Sequence, residues 1–168
     1  MQRIIVFSFL ILFQISVFGQ ETDSPLAASA NVNVSATVVG AIEMVTLQDI
    51  DIGVVTPSME FIIIDPGENP GAGLIKFTGQ PSMGIRIVFS KTVVMVAGDG
   101  STLTVQYLVN GNSNNEQGTS IPMEESPAQV VLNPDGEYFV WIGCQMDIRE
   151  VVSGQQYDGD FVIEVEYN

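Results

Sequence analysis

The side chains of this sequence that could carry acid–base or metal chemistry are almost all carboxylates. The chain has 20 Asp and Glu, one Cys and no His. Without an imidazole, Ser-His-Asp catalysis, Cys-His catalysis and most zinc sites are excluded. Only five Lys and Arg oppose the acids, so the net charge is −15. This charge repels phosphate backbones and anionic lipid, and the sequence therefore predicts no nucleic-acid partner.

Two carboxylate pairs have spacings that could serve a function. Asp49-x-Asp51-x-Gly53 resembles the start of a calcium loop, but the later oxygen ligands and the bidentate Glu of an EF-hand do not follow it. Asp158 and Asp160 could in principle serve glycoside hydrolysis, although such pairs arise by chance in so acidic a chain. We therefore assign no catalytic, cofactor-binding or metal-binding residues, and we predict that the protein is not an enzyme.

The single cysteine and the single tryptophan both lie in the predicted strand 138–146. Cys144 cannot form an intramolecular disulfide, and it shares one side of an extended chain with Ile142 and Met146, which predicts a buried, unreactive thiol. Trp141 lies on the face opposite Val140 and Ile142. Core packing is the favoured interpretation of Trp141, and contact with a ligand is the open alternative.

The N-terminal 19 residues have the pattern of a cleavable signal peptide. Arg3 precedes the apolar run Ile4–Phe13, and Gly19 is a small residue at the expected cleavage point. The run is too short for a comfortable membrane span. The sequence predicts export to the periplasm, the outer surface or the extracellular space, with no membrane span after cleavage. Loss of Arg3 would leave four basic against 20 acidic residues, a net charge of −16.

The remaining chain divides into a short polar lead-in, 20–27, and one domain, 28–168, which is long enough for a sizeable core. Apolar residues alternate with polar ones at its two ends, in 28–38 and 157–168, as half-buried strands require. Phe61–Ile64 is a continuous apolar run, typical of a strand covered on both faces, and Asn110-Gly111 is a turn signal. The other predicted strands are 42–47, 49–55, 74–78, 84–90, 93–96, 102–109, 128–132 and 138–146.

These short strands, separated by Gly, Pro, Asn and Asp, predict an all-β, immunoglobulin-like antiparallel sandwich. Several of them are shorter than the roughly ten residues that a membrane barrel strand needs. The polar stretch 112–127 is predicted to be an exposed loop and a place for partner contact.

Several motifs in their order along the chain resemble the secreted bacterial proteins grouped as domain of unknown function 4402, which are similar to spore-coat-U-type and fimbrial β-sandwiches. The resemblance implies a secreted, immunoglobulin-like sandwich without established catalytic residues. The family often has a second glycine after Gly143, where this chain has Cys144. The motifs are Ala36-Thr37-Val38-Val39, Asp49-Ile50-Asp51-Ile52-Gly53, Phe77-Thr78-Gly79-Gln80-Pro81, Thr102-Leu103-Thr104-Val105, Ile142-Gly143, and Gly154 to Phe161 running on to Tyr167-Asn168.

The motif residues are interpreted as structural. Gly154 and Gly159 would permit backbone conformations that other residues avoid. Tyr157 would place its ring over the sandwich end and its hydroxyl on a backbone group, as a tyrosine corner does. The full set of structural positions is Asp49, Asp51, Gly53, Gly79, Gly143, Gly154, Tyr157, Gly159, Phe161 and Tyr167.

The sequence thus predicts a secreted, non-enzymatic structural or adhesive protein whose partners are other cell-surface proteins or polysaccharide. One alternative is a module that binds carbohydrate or another ligand through Trp141 or the 112–127 loop. Another is a pilin-like subunit that donates strand 28–38 to its neighbour. Little linker separates Val38 from Ile42, so we expect a monomer whose first strand pairs within its own sandwich.

Overall fold

A computed structural model of the chain describes the backbone of residues 29–39 and the residues 42–53, 59–149, 151 and 154–168. The predicted signal peptide 1–19, the lead-in 20–27 and the end of the predicted strand 49–55 lie outside the described residues. The elements are β1 (Ser29–Val39), β2 (Glu43–Gln48), β3 (Phe61–Ile64), β4 (Gly73–Thr78), β5 (Gly84–Phe89), β6 (Thr92–Ala97), β7 (Thr102–Asn112), a 3₁₀-helix (Gln117–Thr119), β8 (Ile121–Pro122), β9 (Ala128–Val131), β10 (Glu137–Asp147) and β11 (Gln156–Tyr167). No helix in these ranges has the length and apolar character to cross a membrane.

Two long strands, β10 and β11, organise the hydrogen bonding. β10 pairs along one edge with β7, and along the other edge with β4 and then β3. β11 pairs along one edge with β6 and then β5, and along the other edge with β1. The path through the sheet is β2-β4-β10-β7-β6-β11-β5-β9, with β8 attached to β7. β1 and β11 run parallel, while the other ladders of the described chain are antiparallel.

The path folds over so that its two halves face each other across one core. In β11 the side chains of Tyr157, Phe161 and Ile163 are buried, as the period-two alternation predicts. The rings of Tyr107 on β7 and Phe161 on β11 lie 4.5 Å apart between centroids, although these two strands share no hydrogen bonds. Such a contact joins opposite layers, and it confirms the predicted all-β antiparallel sandwich.

The first strand pairs with the last strand of the same chain. The register runs from Ser29 beside Gln156 to Val39 beside Glu166, so β1 follows β11 over its whole length. The predicted strand 28–38 therefore corresponds to β1, which lies against its own sandwich.

Three predicted features of the strands are wrong. The described part of the predicted strand 49–55 is not a strand: the Asp51 carboxylate accepts a hydrogen bond from the Gly53 N–H, and Gly53 has a φ of +67°. β3 is covered on one face only, because Phe61 and Ile63 are exposed while Ile62 and Ile64 are buried. Asn110-Gly111 does not end β7, which continues to Asn112 because its last residues pair with β10 and β8.

Gly143 marks the place where β10 changes partners. There the chain leaving β3 turns over the outside of β10, and a Cβ at Gly143 would overlap the carbonyl oxygen of Ile64 and lie 2.8 Å from Cδ of Pro66. Only glycine leaves room for this crossing, because the overlapped oxygen belongs to the backbone and cannot rotate away. Gly143 is thus a position of close backbone approach.

We expect Gly143→Ala to lower the free energy of unfolding by about 1–3 kcal/mol, because the added methyl group overpacks the crossing. Urea unfolding of the variant and of the unmodified protein measures the difference. Gly98→Ala is the matched control, since a Cβ there would meet nothing within 4 Å. Equal losses of stability in the two variants would contradict the close approach at Gly143.

Candidate functional site

One exposed sheet surface combines apolar and uncharged polar side chains in a strongly acidic protein. We call it the outer face, and it spans four neighbouring strands. Its side chains point away from the core because their strand neighbours, such as Ile62, Met95, Val105 and Met146, point into it. The outer face consists of Phe61 and Ile63 from β3, Gln145 and Asp147 from β10, Thr102, Thr104, Gln106 and Leu108 from β7, and Thr92, Val94 and Val96 from β6.

Strand register sets these side chains in rows. Ile63 pairs with Gln145, Gln145 with Gln106, and Gln106 with Thr92, which makes one row across all four strands. In the next row Phe61 pairs with Asp147, and Thr104 pairs with Val94. Paired side chains of adjacent strands lie roughly 5 Å apart, so each row is a continuous surface.

The outer face holds five large apolar side chains that water reaches. Their exposed fractions are 46% for Phe61, 57% for Ile63, 56% for Val94, 50% for Val96 and 36% for Leu108. Scattered apolar residues are normal on a protein surface, whereas several on one sheet surface mark a candidate interaction site. Phe61 and Ile63 form one group on β3, and Val94 and Val96 form another on β6, with polar side chains of β10 and β7 between the two groups. This concentration makes the outer face the candidate functional site.

Asp147 is the one formal charge of the outer face, and it is neutralised locally. Its two carboxylate oxygens accept hydrogen bonds from the Arg149 guanidinium, with Nε 2.9 Å from Oδ1 and 3.1 Å from Oδ2. These hydrogen bonds hold the pKa of Asp147 below its usual value. The guanidinium carbon of Arg149 also lies 5.1 Å from the centre of the Phe61 ring, so the pair is fixed against β3.

Beside this ion pair the surface sinks into a hollow of about 560 Å³, which we call the recess. It combines two hydroxyl groups, an ion pair and two apolar side chains. Its volume falls within the range of small-molecule sites, and its polar groups could orient a ligand. The recess is lined by Thr102, Leu103, Thr104, Asp147, Arg149 and Val151.

The other half of the same sheet surface is closed. Phe139 and Trp141 alternate with the core residues Val140 and Ile142, yet Trp141 is only 3% exposed. The turn after β3 and the 3₁₀-helix segment meet on this side, where the Gln117 amide donates hydrogen bonds to the Pro66 carbonyl at 3.1 Å and the Asn69 carbonyl at 2.8 Å. The proposed ligand contact of Trp141 therefore has no open surface in this structure.

The 112–127 stretch is an ordered connection that contains the 3₁₀-helix and β8. Ser126 fixes its end, because the hydroxyl lies 2.8 Å from both the N and the O of Phe89. A second hollow, of about 630 Å³, opens between β8 and β9 with the Tyr138 ring at its inner side. Burial raises the pKa of Tyr138 to about 12. Glu124 and Glu125 are among the residues that line this hollow.

The carboxylates that the sequence marks out do not come together. Asp49 and Asp51 are exposed beside a loop, and the Asp51 N–H donates to the Gly71 carbonyl at 2.8 Å. Asp158 and Asp160 are exposed on β11, at the opposite end of the chain. Among the described residues no three His, Cys, Asp or Glu side chains are grouped closely enough to hold a metal ion.

Tyr167 makes the hydroxyl-to-backbone contact of a tyrosine corner, and the same role for Tyr157 stays a prediction. The Tyr167 hydroxyl accepts a hydrogen bond from the Gln80 N–H at 2.7 Å and packs against Gly79, where a Cβ would lie 2.6 Å from it. The hydroxyl of the buried Tyr157 lies 3.1 Å from the side-chain oxygen of Ser101. The motif tyrosines thus bind two different turns at the sandwich ends.

The two glycines of the closing motif have different roles. Gly154 has a φ of +77°, as predicted for a residue that enables a turn. Gly159 has no such conformation. Its missing side chain leaves room for Met95, whose Cγ would lie 2.8 Å from an added Cβ. Phe161, the next inward residue of β11, is fully buried.

Cys144 is buried in the core, as predicted, at 2% exposure. It pairs across the sheet with Tyr107, and burial raises the pKa of its thiol to about 11. The buried hydroxyl of Tyr107 has no hydrogen-bond partner among the described residues. Both groups belong to the packed interior and not to the outer face.

No protein-family model matches the chain, and no curated protein matches its sequence. Fold and site therefore define its class, an acidic all-β sandwich with an exposed sheet surface whose one formal charge is paired. The resemblance to the domain-of-unknown-function 4402 proteins stays a prediction from the sequence motifs.

We expect Tyr167→Phe to lower the free energy of unfolding by about 1 kcal/mol, because the Gln80 N–H loses its acceptor. Tyr107→Phe is the control: it removes a buried hydroxyl for which the described residues provide no partner, so the stability of this variant should be unchanged or higher. Urea unfolding of both variants measures the two effects. A larger loss in Tyr107→Phe than in Tyr167→Phe would contradict the assignment.

We expect a thiol reagent at pH 8 to label native Cys144 at least about a hundredfold more slowly than the urea-unfolded chain, because the buried thiol is shielded and poorly ionised. An unfolded thiol has a pKa near about 8.5, below the folded value of about 11. Because the pKa of the thiol is higher in the folded protein, its contribution to the free energy of unfolding is fully present below about pH 8. This contribution is lost as the pH rises from about 8.5 to about 11. Equal labelling rates in the native and unfolded protein would contradict the burial.

Proposed function

We propose that the protein is a secreted, non-enzymatic structural or adhesive β-sandwich of the bacterial envelope or extracellular space. The observation that supports this proposal best is the outer face, which displays Phe61 and Ile63 from β3 and Val94 from β6 to solvent on one sheet surface. A rigid sheet can present such a surface without rearrangement, so contact with a partner loses little conformational entropy. The signal-like segment 1–19 supports the export part of the proposal.

A ligand-binding module is the second candidate, and the recess favours it. Thr102 and Thr104 line the recess together with the Asp147–Arg149 ion pair, and the hollow is large enough for a small ligand. This candidate moves the predicted ligand contact away from the buried Trp141 and onto the open half of the same sheet surface. The two candidates are compatible, since an adhesive surface also needs a recognised partner.

The pilin-like alternative would require β1 to leave its own sandwich. Its eleven residues pair with β11 from end to end, so departure would expose the whole edge of that strand. We therefore propose a self-contained subunit, as the short connection to Ile42 also suggests.

Fractionation of cells that produce the full chain tests the export step. We expect residues 20–168 in the periplasm, on the surface or in the medium, with mass spectrometry showing loss of residues 1–19. An uncleaved protein in the cytoplasm would overturn the proposed location.

Adhesion is tested with beads coated with residues 20–168 and applied to bacterial cell surfaces. We expect retention of the beads to fall severalfold in Val94→Ser/Val96→Ser, because the outer face loses apolar area. Ile121→Ser/Val131→Ser is the matched control, since these side chains are 72% and 59% exposed elsewhere on the protein. Absence of retention for the unmodified protein would overturn the adhesive role.

A further inference from the structure

We propose that the outer face binds a neutral polysaccharide, with the glycan chain lying across β3, β10, β7 and β6 and one sugar ring entering the recess. This inference rests on the proposed adhesive function and names the chemistry of its partner. Three properties of the described residues carry it: the mixture of side chains on the outer face, the distribution of charge, and the area of the surface.

The mixture of side chains matches the two kinds of surface that a sugar presents. A pyranose ring has C–H groups on its faces and hydroxyl groups around its edge, and each hydroxyl both donates and accepts hydrogen bonds. Gln and Thr side chains also do both, and Gln145, Gln106 and Thr92 stand in one row. Phe61 and Val94 stand in the neighbouring row, where they can cover C–H groups.

The recess adds the groups that fix orientation. Asp147 and Arg149 line the recess together with Thr102 and Thr104, and both carboxylate oxygens of Asp147 accept hydrogen bonds from the Arg149 guanidinium. The ion pair is exposed, with 56% of the Arg149 side chain and 45% of the Asp147 side chain accessible to solvent. A ring with neighbouring hydroxyls could bridge the carboxylate and guanidinium without separating them, because each hydroxyl can donate to one and accept from the other.

Charge selects a neutral polymer over an anionic one. The outer face carries no uncompensated charge, while the exposed acids Glu60, Asp99 and Asp158 stand at its margin. With a net chain charge of −15, an anionic polysaccharide or a phosphate-bearing polymer would be repelled from this surface. A neutral glycan meets no such penalty.

Area argues against a second copy as the occupant. Strands roughly 4.8 Å apart and side-chain rows roughly 6.8 Å apart give the outer face a flat area on the order of 300–400 Å². Specific protein interfaces bury about 800 Å² per partner, and two copies would also bring like-charged margins together. A small surface suits a repetitive polymer instead, because many weak contacts of surface-bound protein add up through avidity.

Affinity electrophoresis tests the inference with residues 20–168 in native gels that contain dextran, laminarin, hydroxyethyl cellulose or galactomannan, and alginate as the anionic polymer. We expect retardation by at least one neutral polymer and none by alginate. Gln106→Glu should reduce the association constant at least tenfold, because the carboxylate accepts hydrogen bonds but cannot donate them, and the centre of the row then loses its donor. Gln129→Glu is the matched control, the same change at an exposed position of β9. Urea unfolding checks that both variants are folded.

Each remaining outcome decides against the inference. If no neutral polymer retards the protein while coated beads still adhere to cells, the glycan is wrong and the adhesive function stands. Equal retardation of Gln106→Glu and Gln129→Glu would place the glycan elsewhere on the protein. A concentration-dependent dimer in light scattering, lost in Gln106→Glu and unaffected by the polymers, would make a second copy the occupant. Loss of both retardation and bead adhesion would overturn the proposed function as well.

Discussion

The fold depends on the change of partners along β10. This strand pairs with β7 on one edge throughout, but on its other edge it pairs first with β4 and then with β3. Because β3 must end where β4 takes over, the chain has to cross the outside of β10, and Gly143 gives it the space. The crossing divides one sheet surface in two. On one side Trp141 is covered, and on the other Gln145 stays open.

The same division separates a closed surface from an open one. On the closed side the Gln117 amide joins two turns through backbone carbonyls, which satisfies polar groups that the covering chain would otherwise bury unpaired. On the open side Arg149 neutralises Asp147 and lies over Phe61, so the single charge on that surface is compensated. Exposed ion pairs add little to stability, and this one matters for the electrostatic character of the surface.

Sequence periodicity predicts the sandwich well because alternation reports burial directly. β11 is the clearest case, and β3, β4 and β5 begin within one residue of their predicted positions. Periodicity fails as a predictor where hydrogen bonding, and not burial, decides whether a segment is a strand. Ile50 and Ile52 alternate correctly with Asp49 and Asp51, yet this segment has no ladder partner and is not a strand. Similarly, Asn110-Gly111 has turn composition, but pairing on both edges of β7 keeps it extended.

The candidate site was missed because nothing local distinguishes its residues. Phe61–Ile64 is apolar throughout, and such a run looks the same whether one face or both faces are covered. The exposure of Phe61 and Ile63 follows from the position of β3 at the end of β10, which is a long-range property of the sheet. Likewise, Trp141 is a natural choice of binding aromatic by composition, but the crossing at Gly143 leads chain over its side of the sheet. Strand register thus decides which half of this sheet surface the backbone covers and which half it leaves open, and no local pattern in the sequence records that choice.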